Sequence, residues 1–325
     1  MAPTVAAGPN RINGLHGGLG RRRGVFGLRR LLTYESTSFA YVLNAPSIAA
    51  IAILVAFPIV DSAWISLHHY NLMRPHVFAF VGLGNFLQIL ASAEFWAALL
   101  VTAEFTSLAV VLVSLLGVGG ALLLSSPFPG RAVLRVLILI PWAIPPVVNG
   151  LMWQWIYDPK VGVLNGLLKA LGVIGHYQGW LSSSSGALLA LVSAHVWSMF
   201  PLAVILLTGA LQRIPGELYD AARIDGSDEL GLFRHVTLPW LAQPLLVVLI
   251  IETMYALHAF DVIYVLTSGG PGTATTTLTW QTYITTFENL DFGLGDAYAW
   301  LISLLTVGLS VIYFRALYHR GEFEA

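Results

Sequence analysis

Six long apolar stretches, separated by short polar segments, dominate the pattern of this chain. They lie near 43–67, 95–124, 133–157, 184–211, 241–264 and 296–317. A helix needs about 20 apolar residues to cross the hydrocarbon core of a bilayer, and each stretch meets that length. The pattern therefore predicts an all-α membrane protein with six transmembrane helices in one domain, 36–325, behind a tail at 1–35.

Composition supports the same class of protein. Hydrophobic residues make up 57% of the chain and charged residues 10%, and the mean hydropathy is +0.75, whereas a soluble chain carries about 25% charged residues. The net charge is −1 and there is no cysteine, which excludes disulfides and cysteine metal sites. We expect no catalytic residue, no metal site and no nucleic-acid partner.

The distribution of Arg and Lys predicts the orientation, because short cytoplasmic loops collect basic residues. On one side of the six stretches lie Arg11, Arg21, Arg22, Arg23, Arg29, Arg30, Arg131, Arg135, Arg213, Arg223, Arg234, Arg315 and Arg320. The other side carries only Arg74, Lys160 and Lys169. The bias predicts a multi-pass protein of the cell membrane with both termini, the basic tail and the segment 212–241 in the cytoplasm.

The segment 212–241 reads as a helix, a glycine turn and a second short helix. Pro215 suits a first helical position, and Glu217 and Asp220 lie where a helix N-terminus favours negative charge. Gly226 is expected to end the helix. The helix presents an apolar surface with small side chains at its centre, formed by Leu218, Tyr219, Ala221, Ala222 and Ile224. Such a surface on a cytoplasmic loop predicts docking to a partner.

These residues resemble the coupling loop, or EAA loop, of permease subunits in binding-protein-dependent ABC importers, most closely carbohydrate importers of the maltose type. Asp220-Ala221-Ala222 takes the position of Glu-Ala-Ala, Gly226 is the glycine of the family pattern, and Val236-Thr237-Leu238-Pro239 closes the motif. Asp220 keeps the charge of the family's Glu with a shorter reach. The resemblance implies a type I importer permease fold and assigns contact with the ATPase to Glu217, Tyr219, Asp220, Ala221, Ala222, Asp225, Gly226, Leu238 and Pro239.

Two further runs resemble the same family. The run 260–271, FDVIYVLTSGGP, stands at the external end of the fifth stretch, and the resemblance assigns Gly269, Gly270 and Pro271 to a loop that contacts the binding protein. The threonine-rich run 273–279 is expected to form an extended part of that loop. The run 140–148, IPWAIPPVV, resembles the family's proline-broken third span, and such a break is tolerable beside protein or a water-filled path.

An importer of this type needs an energy source that the chain does not contain. A phosphate-binding loop requires the pattern GxxxxGK[ST], and neither Lys160 nor Lys169 stands in it. The resemblance therefore implies a separate ATPase dimer that binds ATP and Mg²⁺, a second homologous permease subunit and an extracytoplasmic sugar-binding protein. We expect no cofactor in this chain, whose remaining partner is the lipid bilayer.

Polar residues inside the membrane are costly and are candidates for function. Alignment with the family motifs assigns the substrate pathway to His195, Ser198, Met199, Leu202, Glu252, Tyr255, Ala256 and Ala259. The spacings 195/198 and 252/255/259 place each polar group on one helix face. No Arg or Lys lies in mid-membrane, so we expect a neutral mono- or disaccharide, because anionic groups favour fixed cations.

Other interpretations stay open at this point. Each polar residue could instead bond a neighbouring helix, and Glu104 could pair with His258 or touch substrate. The cargo could be a polyol, a glycerol-phosphate-like compound or a peptide. A proton-coupled secondary transporter would use Glu104 or Glu252 as a proton relay, but it would show internal repeats and have no use for the segment 212–241. A membrane scaffold would leave the broken third span unexplained.

Overall fold

The computed structural model describes residues 37–318, and most of this range is helical. The first helix, α1, comprises Thr37–Ile51, a π-helical turn at Ala52–Ala56, and Phe57–Ser66. Contacts within the chain divide it into a unit that ends at Asp61 and a unit that begins at Ser62. The single domain 36–325 stays a prediction, and the predicted tail at 1–35 lies outside the described residues.

The second unit contains one small antiparallel sheet and eleven helical elements among the described residues. Strands β1 (His68–Tyr70) and β2 (Phe78–Phe80) pair with His68 opposite Phe80. The helices are α2 Gly84–Ala91, α3 Ala93–Ser125, α4 Arg131–Ala143, α5 Pro146–Ile156, α6 Val163–Ala170, α7 Ser184–Leu211, α8 Gly216–Ile224, α9 Glu229–Leu257 with a π-helical turn at Phe233–Thr237, α10 Asp261–Leu266, α11 Leu278–Tyr283 with a π-helical turn at Ile284–Glu288, and α12 Phe292–Tyr318.

Five helices in residues 37–318 are long and apolar enough to cross a membrane, and a bent pair supplies a sixth span. The five are Leu43–Ser66, Ala93–Ser125, Ser184–Leu211, Glu229–Leu257 and Phe292–Arg315. Helices α4 and α5 pass the same test only as a pair, and they are bent by 100° relative to each other. The predicted six-span fold is confirmed, with the third span broken.

Consecutive prolines cause the bend between α4 and α5. Proline disfavours the helical conformation in the residue before it, and Ile144 accordingly has an extended ψ of 128°. Pro145 is also extended, and Pro146 begins α5 as a first helical residue that has no N–H to satisfy. The chain must therefore leave the helix and start a new one inside the membrane.

The fifth span ends earlier than the apolar pattern predicts. Helix α9 stops at Leu257, and a non-helical step at His258–Phe260 precedes the short helix α10. The prediction of one continuous helix to residue 264 is wrong because a tertiary contact stabilises the break. The Thr279 hydroxyl donates a 2.7 Å hydrogen bond to the Ala259 carbonyl, which the interrupted helix leaves free.

The segment 212–241 also departs from its prediction in one respect. Its first helix and glycine turn are present, but the second helix is not a separate short element. It begins at Glu229, where the Asp228 side chain accepts from the Gly231 N–H at 2.8 Å, and it continues into the fifth span. Pro239 cannot donate to the preceding turn, yet the π-helical turn at Phe233–Thr237 carries the helix past this position.

Close packing of α3 against α7 forms the centre of the second unit. Phe105, Leu191 and Leu207 are completely buried there, together with Ile263 of α10. The two helices approach closely at a glycine: a Cβ atom added to Gly117 would lie 2.6 Å from the Ala203 Cβ. Small residues at such contacts let helix backbones approach in a membrane, where van der Waals packing drives association.

We expect Gly117→Val to destabilise the protein by about 1–3 kcal/mol, because the added side chain overpacks the α3–α7 contact. Gly119 is a matched control in the same helix, since a Cβ added there meets nothing within 4 Å. The unfolding midpoint of the detergent-solubilised protein should fall for Gly117→Val and stay near the wild-type value for Gly119→Val. Equal midpoints for the two variants would contradict this packing.

Candidate functional site

A cavity of about 780 Å³ lies between α5, α7, α9 and the break before α10. Its wall contains six of the eight residues assigned to the pathway: His195, Ser198, Met199, Leu202, Tyr255 and Ala259. The remaining wall includes Trp142, Pro146, Asn149, His258, Phe260 and Asp261. Two helix faces that were assigned independently from the sequence thus meet at one cavity. Their contact with cargo stays a prediction.

His195 and Glu252 form a buried pair beside this cavity. The His195 Nε2 and the Glu252 Oε1 are 2.8 Å apart, and the two residues are 5% and 3% exposed. The Phe105 ring meets the imidazole edge to face, with ring centroids 5.2 Å apart. The pair links α7 to α9, so Glu252 both bonds a neighbouring helix and holds the His195 ring at the cavity wall.

The two predicted helix faces are less uniform than the spacing suggested. Glu252 does not line the large cavity itself, and Ala256, which is 2% exposed, packs into the core cluster. Tyr255 is half exposed and lies on the cavity side. The hydroxyl of Ser198 donates to the His195 carbonyl at 2.8 Å, so its oxygen remains able to accept. Among the predicted pathway residues, the polar groups on the cavity wall are thus an imidazole, a hydroxyl and a phenol.

The broken third span supplies a wall of the cavity that the motif alignment did not include. Trp142 at the end of α4 and Pro146 and Asn149 in the first turn of α5 line it. Asn149 was recognisable in the sequence only as one of several polar residues inside the membrane. The prolines at 145 and 146 were the available signal, because a helix that restarts inside the membrane brings its first turn to a polar space.

A second cavity of about 330 Å³ lies on the other side of the break in the fifth span. His258 and Phe260 line both cavities. Its wall includes the rings of Phe260, Tyr283 and Phe287, and Tyr283 stacks on Trp280 with ring centroids 5.3 Å apart. Desolvation raises the pKa of the Tyr283 phenol, as do the nearby Tyr264 and Glu288.

The segment 267–277 folds into a compact turn. Gly269 has φ +79°, in the left-handed region that favours glycine, and a Cβ there would lie 2.3 Å from the Trp280 Nε1. The extended loop expected at 273–279 is wrong: Thr275 and Thr276 are buried, and their hydroxyls donate to the carbonyls of Gly270 and Gly269 at 2.8 and 3.1 Å. Gly270 and Pro271 are half-buried in the same turn.

Helix α8 presents the predicted docking surface, which we define as the exposed face around Leu218, Ala221 and Ile224. No residue of α8 is buried, and Ile224 is 87% exposed. Tyr219 faces inward, where its hydroxyl lies 3.0 Å from the Thr237 Oγ1 of α9. Gly226, with φ +85°, ends the helix. Of the other assigned residues, Glu217, Asp220, Asp225, Leu238 and Pro239 are exposed and Ala222 is half-buried.

The alternative roles of Glu104 receive no support from the geometry. Glu104 is exposed on the surface of α3 and does not line the large cavity. The His258 Nδ1 lies 2.9 Å from the carbonyl oxygen of Met254 in the last turn of α9. No ion pair joins Glu104 to His258 among the described residues, so the suggested pair is not formed. Within residues 37–318 no group of three or more His, Asp or Glu side chains is placed to hold a metal ion.

A helical bundle with a cavity inside its spans and an exposed helix between two of them defines a membrane transport component. The family profile of binding-protein-dependent transport system inner membrane components matches residues 113–320, and the chain belongs to that family. It is a permease subunit of an ABC importer, a multi-pass inner membrane protein rather than an enzyme.

Individual relatives extend the match over most of the chain. The trehalose/maltose transport system permease protein of Thermococcus litoralis is 38% identical over 285 residues, which cover 87% of this chain and 95% of that protein. The sulfoquinovosyl glycerol transport system permease protein of Agrobacterium fabrum is 32% identical, covering 89% and 93%. A bacterial alginate ABC transporter, solved with an alginate pentasaccharide-bound periplasmic protein, has the same fold: TM-score 0.74, 17% identity, covering 90% and 96%.

Proposed function

We propose that this chain forms half of the transmembrane pathway of an ATP-driven importer for a neutral mono- or disaccharide. The observation that carries the proposal is the cavity of about 780 Å³ between α5, α7 and α9, with His195, Ser198 and Tyr255 on its wall. Its volume lies in the range of small-molecule sites, about 300–1,000 Å³. Both the cavity and the trehalose/maltose relative support a sugar as cargo.

The charges at the cavity favour a neutral sugar. Among the described residues that line it there is neither Arg nor Lys, while Asp261 lies on its wall and Glu252 behind it. A sulfonate or phosphate would be desolvated beside carboxylates without a fixed cation, which is unfavourable. Although one relative is named for a sulfoquinovosyl glycerol transport system, the chemistry of this wall disfavours an anionic cargo here.

The remaining parts of the proposal concern partners and orientation. The chain has no phosphate-binding loop, so a separate ATPase dimer hydrolyses ATP and docks on the exposed face of α8. A second homologous permease completes the pathway. An extracytoplasmic sugar-binding protein contacts the turn around Gly269, Gly270 and Pro271. The basic residues between the spans support cytoplasmic termini and a cytoplasmic α8.

Competition for uptake tests the cargo. In cells that depend on this permease, labelled trehalose or maltose should accumulate, and an excess of the unlabelled sugar should abolish the accumulation. Glycerol phosphate and a sulfonated sugar at the same excess should leave it within about twofold of the uninhibited rate, because the cavity holds no cation for them. Absence of sugar uptake, or inhibition of sugar uptake by the anionic compounds as strong as that by the unlabelled sugar, would contradict the proposal.

A further inference from the structure

We propose that the first turn of α5 forms an additional hydroxyl-binding subsite in the cavity wall, in which the Asn149 Oδ1 accepts a hydrogen bond from a hydroxyl of the cargo. The inference rests on the proposed function and extends it to a residue outside the two pathway helices. Asn149 lines the cavity from the broken third span, facing His195 and Tyr255 on α7 and α9.

Two contacts fix the position of the Asn149 amide. Its Nδ2 donates to the Ala194 carbonyl of α7 at 3.0 Å, which orients the side chain. The adjacent Gly150 packs against α10 so closely that a Cβ there would lie 2.9 Å from the Val265 Cβ. Asn149 is therefore held between two helices in one orientation, as a specificity-determining group in a binding site has to be.

The Asn149 Oδ1 has no partner within the described residues, although the side chain is 2% exposed. An unpaired buried acceptor costs free energy and calls for an explanation. Other polar atoms in residues 37–318 share this condition, among them the hydroxyls of Thr106 and Thr208. Among these unpaired atoms of the described residues, only the Asn149 oxygen belongs to a residue that lines the large cavity. Its hydrogen-bond partner can therefore come from the cargo.

The chemistry of the first turn selects a hydroxyl as that partner. Asn149 offers an acceptor, while the first N–H groups of a helix lack intrahelical acceptors and favour electron-rich atoms. Pro146 in the same turn lines the cavity, so this end of α5 faces it. A sugar hydroxyl can donate to the Asn149 Oδ1 and accept from an N–H, whereas a carboxylate or sulfonate has no proton to donate.

Sugar analogues that lack single hydroxyls test the subsite. The uptake of trehalose and maltose is compared with that of their monodeoxy derivatives in the complete importer. We expect the wild-type protein to prefer the parent sugar over one particular deoxy derivative by about tenfold or more, since a polar site rejects an analogue that leaves its groups unpaired. In Asn149→Ala this preference should disappear, because the acceptor is gone. The parent sugar and the deoxy derivative should then be taken up at about the same rate.

Two further variants make the test specific. Asn149→Asp keeps an oxygen at this position and should retain the preference, even if Asn149→Ala does not assemble. Thr208→Val removes an unpaired hydroxyl away from the large cavity and should also leave the preference unchanged. Because each value is a ratio of two sugars within one variant, a change in protein amount cancels.

The outcomes separate the subsite from the proposed function. The subsite would be overturned if Asn149→Ala took up sugar with its preference intact, or if Asn149→Asp took up sugar without the preference. Either result would leave the proposed sugar importer unaffected. Absence of uptake of any sugar or deoxy derivative by the wild-type complex would overturn the proposed function and the subsite together.

Discussion

Replacing Ile224 by Glu should abolish uptake and release the ATPase from the permease. Ile224 is 87% exposed in the isolated chain, at the C-terminal end of α8 and of the proposed docking surface. An unpaired charge buried in an interface costs about 2–5 kcal/mol, which corresponds to a loss of affinity of about 30-fold or more. The measurement is copurification of the ATPase with the tagged permease, together with sugar uptake.

Val161→Glu is the matched control for this experiment. Val161 is also a β-branched residue on the surface, 70% exposed, but it lies in the segment between α5 and α6, which we place on the external side. The control variant should bind the ATPase as the wild type does. If Ile224→Glu retains the ATPase and normal uptake, α8 is not the docking element.

The second large effect is expected for Glu252→Ala. This change leaves His195 buried without its partner at 2.8 Å, and removing one member of a buried pair costs about 3–5 kcal/mol. Because the imidazole then loses its orientation at the cavity wall, we expect sugar uptake to fall by at least about 100-fold. The ATPase should still copurify, since α8 and its contact between Tyr219 and Thr237 are unaffected.

Glu104→Ala is the control for the pathway variant, because it removes the same side chain from an exposed position on α3 that does not line the cavity. Its uptake should stay within about threefold of the wild-type rate. A loss of uptake in Glu104→Ala with normal uptake in Glu252→Ala would reverse the assignment. Such a result would instead point to Glu104 as the group in contact with cargo or protons.

The features that the sequence predicts well depend on local chemistry. Apolar length alone places the spans, and the prolines at 145 and 146 indicate the break in the third span, although not its angle of 100°. In α8, Pro215 stands directly before the helix, one position earlier than expected, and Gly226 follows its end as expected. Each of these signals acts within a few residues of the structure it determines, so a single sequence contains it.

The features that the sequence does not predict depend on contacts between distant segments. The break after Leu257 has no proline or glycine to announce it and is stabilised by Thr279 from another helix. The partner of Glu252 is His195, 57 residues away on α7. Spacing on one helix also cannot place Ala256, which lies close in angle to Glu252 yet packs into the core. Only the packed bundle decides these positions.

Energy dependence of uptake by the reconstituted complex tests the central claim most directly. Proteoliposomes would contain this chain, its second permease and the ATPase, with the binding protein outside and ATP and Mg²⁺ inside. The account predicts that labelled sugar accumulates only with ATP and the binding protein, that Glu252→Ala blocks it, and that the purified chain alone hydrolyses no ATP. Accumulation driven by a proton gradient without ATP, or ATP hydrolysis by the isolated chain, would contradict the account.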